Sequence, residues 1–305
     1  MNQLSIGDRP ETGELRAEPR NVPRNEPRND PRSELRAAAL ALLCEDDVRR
    51  KIDGVRRLAL DWKQGGMVLD SGASLLASRP LPGRPARPLL VPPRQVGQRS
   101  MRDEQGRAVL IHALAHIEFN AVNLALDAIW RFAGMPDAYY SDWLQVADEE
   151  ALHFTLLEEN LQSRACAYGD FPAHDSLWDM AEKTAGDVLA RMALVPRTLE
   201  ARGLDASPAV RAKLAQAGDH VAAAILDIIL RDEIGHVAIG NRWYGWLCER
   251  AQLDPLQTYR ELAQRHRAPH PRGPFNLAAR RAAGFTDAEL YALQQQASMK
   301  PAREA

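Results

Sequence analysis

Two segments of the chain set a glutamate and a histidine three residues apart inside apolar runs. They are "VADEEALHF", with Glu150 and His153, and "ILRDEIGHVAIG", with Glu233 and His236. A spacing of three puts both side chains on one face of an α-helix. Around the first pair that face also carries Val146, Ala147, Phe154 and Leu157. A carboxylate in an apolar core costs on the order of several kcal/mol unless it is paired or bound to a metal. Of the eight histidines, only these two have a glutamate three positions earlier. One such pair is readily an accident or a satisfied core histidine; two, in alternate long helical segments, call for a common partner.

The other helical segments offer that partner. "VLIHALAHIEFNAVNLALDAIWRFAG" keeps apolar residues at helical spacing, and Glu118 interrupts its stripe of Ile111, Leu114, Val122 and Ala125. His112 and His116, one turn apart on a neighbouring face, read as core histidines, with His116 also a candidate support for the ligands. "ARMALVPRTLEARG" offers Glu200, whereas Glu182 lies roughly two dozen ångströms away along a helix axis. Glu118 and Glu150 are 32 residues apart and Glu200 and Glu233 are 33, so the two halves look like a degenerate repeat.

Glu118, Glu150 with His153, Glu200, and Glu233 with His236 make the ligand pattern of a four-helix bundle around two metal ions. Four carboxylates offset most of the charge of two divalent ions, and one imidazole for each favours iron or manganese over magnesium. A closed zinc site would want four fixed ligands for each ion. The expected cofactor is therefore a metal pair, Fe/Fe or Mn/Fe. Glu149 and Asp232 each precede a motif glutamate and are candidates to accept a hydrogen bond from a ligand histidine, fixing its tautomer. Pro196, one turn before Glu200, is expected to distort the helix that carries it.

These ligands need long helices to hold them. The 305 residues, 45% hydrophobic with a net charge of −2, suffice for one large core or two modest ones. Cys44, Cys166 and Cys248 form no Cys-x-x-Cys pair, so any metal is left to histidine and carboxylate. The reading is all-α, in four parts. Residues 1–33, with a Pro-Arg unit every four residues, form an arm expected to be disordered. Residues 34–100 form a helical extension with a proline-rich connector, 101–252 the metal-binding bundle, and 253–305 a further helical extension. Within the bundle the third helix is expected from about Leu177 to Arg202, ended by Gly203; a fourth starts at Ser207-Pro208 and continues past a kink at Gly218 to about Arg250. No strand is expected. With no uninterrupted apolar window of about 18 residues and no signal-like start, the chain reads as cytoplasmic, without a membrane partner.

The motifs "AHIEFNAVNLALD", "DEEALHF", "YGDFPAH", "LVPRTLEARGLD", "RDEIGHVAIGNRW" and "RGPFNLAARRAAGF" resemble the ferritin-like di-iron carboxylate superfamily. More closely, they resemble a bacterial family known as domain of unknown function 455, over roughly residues 35 to 290. A more distant likeness is to the tRNA hydroxylases of the superfamily. The resemblance implies a ferritin-like bundle in which Glu150 and Glu233 bridge the metals and Glu118 and Glu200 bind terminally. The family itself implies no established substrate, but the six-ligand site, with about 100 residues before the bundle and about 55 after it to cover a pocket, favours an oxidoreductase that uses dioxygen or peroxide on an organic small molecule, with an external electron donor if it is an oxygenase. Iron oxidation, storage or sensing is the alternative, and a tRNA-modifying hydroxylase a further one. Nucleic acid is disfavoured because Glu18, Glu26, Asp30 and Glu34 dilute the charge of the arm; a homodimer stays open.

Overall fold

Strong helix formers dominate the apolar runs, and the computed structural model, which describes residues 33–96 and 100–298, is predominantly helical among them. Apart from Ser33, the Pro-Arg arm lies outside these residues. Strand β1 (Ser33–Glu34) leads into α1 (Leu35–Leu43) and α2 (Val48–Lys63), and β2 (Met67–Val68) pairs with β1 in parallel. Among the described residues this two-residue pair and an isolated bridge between Leu90 and Ala173 depart from the expectation of no strand. Next come α3 (Glu104–Arg131) and α4 (Asp137–Gln162), then α5 (Ser176–Lys183), α6 (Val188–Leu194), a π-helical segment (Val195–Glu200) and α7 (Ala201–Gln216). The last elements are α8 (His220–Arg250), α9 (Pro255–Arg265), α10 (Leu277–Ala282) and α11 (Asp287–Ser298).

Helix α3 packs along α4, α4 against α8, and α8 in turn against α6, the π segment and α7. By length and composition α3 could cross a membrane, but 83% of its most apolar stretch is buried inside the fold, as befits a central helix. The N-terminal helices cover α3 and α4 and are pinned by buried cations. Arg36 donates to the carbonyls of Asp70, Ala73 and Trp130, while Lys51 donates to Gly83 O at 2.9 Å and Asn123 Oδ1 at 2.6 Å. Burial pushes the Lys51 ammonium down to about 7.

The third long helix expected from the sequence is not found as one element. It is not continuous from Leu177 to Arg202: a turn at Thr184–Gly186 breaks it, and Asp187 restarts it by accepting from the amides of Leu189 and Ala190. Gly203 does not end a helix, and Ser207-Pro208 does not begin one; both lie inside α7. Proline at 208 removes the donor for the Leu204 carbonyl one turn back, and Asn276 Nδ2 supplies it at 3.2 Å. The break comes at Gly218, whose φ of +80° suits glycine. Asp219 then caps α8 by accepting from the Ala222 amide.

Candidate metal centre

Helices α4 and α8 bring their two Glu-x-x-His faces together across the core. His153 and His236 are fully buried, with ring centroids 5.8 Å apart. His153 Nδ1 lies 3.3 Å from Glu150 Oε2 and 3.7 Å from Glu118 Oε2. His236 Nδ1 lies 3.0 Å from Glu150 Oε1 and 3.8 Å from Glu233 Oε2. Two triads, Glu118–Glu150–His153 and Glu150–Glu233–His236, each present ligand atoms within 4.8 Å of one another, a spacing that could hold a metal ion. Glu150 belongs to both triads and Glu233 to one.

The remaining ring nitrogens are tied crosswise. His236 Nε2, on α8, donates to Glu149 Oε2 of α4 at 2.7 Å; His153 Nε2, on α4, donates to Asp232 Oδ2 of α8 at 3.1 Å. Asp232 is further held by Arg231, and Glu149 by Gln145. With the proton on Nε2, each Nδ1 lone pair faces the carboxylates, the tautomer a metal requires. His116 stands elsewhere. Its Nε2 donates to the His174 carbonyl and its Nδ1 accepts from the Tyr168 hydroxyl at 2.8 Å, within a group of rings that includes His112, Phe119 and Phe154. Burial keeps both His112 and His116 neutral, each near 4.

Glu200 arrives by way of the π segment. Thr198 Oγ1 donates to the Ala193 carbonyl five residues back. Gly240 of α8 lets Pro196 approach so closely that a Cβ there would sit 2.5 Å from the proline Cβ. Arg197 is fixed by Asn241, by an ion pair with Glu289, and by the rings of Tyr244 and Phe285 at 4.7 and 4.8 Å. The sequence reading noticed the proline but missed Arg197, whose signal, an arginine beside Pro196 with aromatics far along the chain, is invisible before folding. Glu182 instead accepts from Trp178 Nε1 on α5.

A family profile described as protein of unknown function (DUF455) matches residues 44–291, a span that contains all six candidate ligands. The chain belongs to the DUF455 family. An "Uncharacterized protein" of Haemophilus influenzae is 52% identical over 213 residues, covering 68% of this chain and 74% of that one. No solved structure matches.

In this DUF455 protein, burial and the charge of Glu150 raise the Glu118 carboxyl and push Glu200 up to about 8. For His153 burial acts downward, but the hydrogen bonds and charges of Glu118 and Glu150 outweigh it and hold the ring up to about 11. Without metal, Glu118, Glu200 and His153 hold more protons in the folded chain than in the unfolded one from the ordinary histidine value to about 8, where Lys51 offsets only one of them; below that value neutral His112 and His116 act the other way. Its stability must then fall as pH rises through that window. A metal ion bound here would have to displace those protons, so its affinity would rise with pH. The expected result is a metal-free thermal midpoint that declines from about pH 6.5 to about pH 8, while the upward shift given by added Mn²⁺ grows. A metal-free midpoint that climbs over the same range would contradict the assignment.

Proposed function

We propose that this DUF455 protein is a ferritin-like dinuclear metal protein, Fe/Fe or Mn/Fe, that uses dioxygen or peroxide to oxidise an organic substrate. One observation carries the reading. Glu118 Oε2, Glu200 Oε2 and Glu233 Oε2 are buried without a hydrogen-bond partner, and Glu150 Oε1 and His236 Nδ1, 3.0 Å apart, are not aligned for a hydrogen bond with each other or with any other group. Each such orphan costs about 1–3 kcal/mol, and a shared cation pair relieves all five. Glu118, Glu150 and His153 would hold one ion and Glu150, Glu233 and His236 the other, with Glu200 completing the second set. Once bound, a redox-active pair supplies the electrons and Lewis acidity for oxidant activation. The chain itself supplies the tautomer lock at Glu149 and Asp232. It also supplies a cavity of about 1730 Å³, lined by Glu118, Glu200 and Glu233, through which an organic molecule reaches the ligands.

Metal analysis of protein expressed in iron-supplemented and in manganese-supplemented medium is expected to give about two ions per chain. Aerobic addition of excess ferrous iron should then saturate near that number. A content near zero in both media, with the fold intact, would remove the proposal. Uptake far beyond two ions, with a ferric mineral accumulating, would replace it with storage.

A further inference from the structure

The cavity beside the candidate ligands has two kinds of wall. Beside the glutamates it takes apolar side chains from α3 (Ala113, Ile117 and Ala121) and from α8 (Leu226 and Ile229), interrupted by the polar His116 and Asn120. Elsewhere it carries Lys183, Arg202, Arg260, Arg267 and Arg272, all exposed. None of these five has an ion-pair partner among the described residues. Two other lining arginines are already neutralised, Arg197 by Glu289 and Arg280 by Asp205. Asp179 is then the one lining acid outside the cluster that no described cation pairs with.

The five cations come from the end of α5, from α7, from α9 and from the loop between α9 and α10. Their convergence is thus not the solvated face of a single helix. Exposed like charges around one opening raise a positive potential that a low-dielectric wall focuses inward. The chain beyond residue 100 nevertheless carries more acids than bases, which suits a compact anion better than a polyanion.

We propose that the cavity binds an organic anion with an extended apolar body. Its carboxylate or phosphate monoester sits among Arg202, Arg260, Arg267 and Arg272, and its apolar end lies against Ile117, Ala121 and Ile229 beside the glutamates. Calling this anion the substrate rests on the oxidoreductase reading; its binding does not.

Fluorescence titration of the full chain with 11-(dansylamino)undecanoate and with its methyl ester tests the proposal. We expect one-to-one binding of the acid and clearly weaker binding of the ester. The double variant Arg267→Gln/Arg272→Gln should bind the acid roughly tenfold more weakly, as expected from losing two solvent-screened charge contacts, and should lose the preference over the ester. Ile117→Trp, at a position already 38% exposed and so able to take a larger ring, should weaken both probes. Competition by dodecanoate and by dodecyl phosphate identifies the preferred head group, and displacement by either supports the proposal. Equal affinity for acid and ester, or an unaffected double variant, overturns it. So does salt-sensitive binding of bulk tRNA that the double variant loses while the dansyl probe fails to bind. Metal content measured on the same samples separates the two readings. Probe binding by protein that holds no metal refutes the dinuclear centre alone, and a metal-loaded protein that ignores the probe refutes this inference alone.

Discussion

Replacing Glu150 by alanine is expected to drop the metal content from about two ions per chain to near zero. Its carboxylate belongs to both ligand triads, and each of its oxygens lies close to a different histidine. Removing it takes a ligand from both ions at once and leaves His153 and His236 without their shared acid. Glu118→Ala takes a ligand from one triad only and should leave about one ion bound, with Glu150, Glu233 and His236 intact. Glu150→Gln keeps the volume and some hydrogen bonding, so it separates loss of ligand from collapse of the core; circular dichroism and thermal midpoints on the same samples confirm that comparison. Two ions retained by Glu150→Ala would rule out the shared-carboxylate arrangement. Equal losses in Glu118→Ala and Glu150→Ala would rule out the asymmetry between them.

Arg191→Met is expected to destabilise the fold by about 3 kcal/mol, lowering the thermal midpoint by roughly 6–12 °C. Arg191 and Asp127 are both fully buried and form an ion pair; Arg191 Nε also donates to Thr184 Oγ1 at 2.8 Å and its Nη2 to the Ala181 carbonyl at 2.6 Å. The guanidinium thus ties α6 to α3 and to the end of α5 just ahead of the π segment. Breaking a buried pair by removing one partner usually costs about 3–5 kcal/mol. The lower figure applies because Arg131 keeps Asp127 partly compensated, with contacts of 2.6 and 2.9 Å. The double variant Arg191→Met/Asp127→Leu removes both charges and should recover much of the loss. A single variant within about 0.5 kcal/mol of the parent, the range of an ordinary surface substitution, would show that the pair contributes little.

The Glu-x-x-His faces of α4 and α8 were legible because an i, i+3 repeat of Glu and His survives any uncertainty about helix ends. So was Glu118, as a charge in an apolar stripe. The expectation that Glu149 and Asp232 would serve the histidines had a local basis, but the crosswise pairing could not be read, since it depends on how two distant helices meet. The segment from Thr184 to Gly218 was misread for opposite reasons. The break after Lys183 carries a local signal, Gly186 followed by the capping Asp187, that the apolar periodicity of the run masked, while Gly203 and Pro208, ordinary stop and start signals, stand inside α7, where Asn276 supplies the donor the proline lacks. The cavity cations at 183, 202, 260, 267 and 272 each look like a residue of a solvated surface until the fold gathers them.

A π turn holds one residue more than the α turn it replaces, so Val195–Glu200 behaves as a single-residue insertion written into a continuous run. Losing any one position from it would restore the ordinary helical period and rotate one flank relative to the other by about 100°. Arg197 would then leave its aromatic box, or Glu200 would turn away from Glu150 and Glu233. Side-chain exchanges at Thr198 or Leu199 can be absorbed locally, whereas a one-codon deletion cannot. The number of residues in this segment, more than the identity of most of them, is what genetic variation has least room to alter.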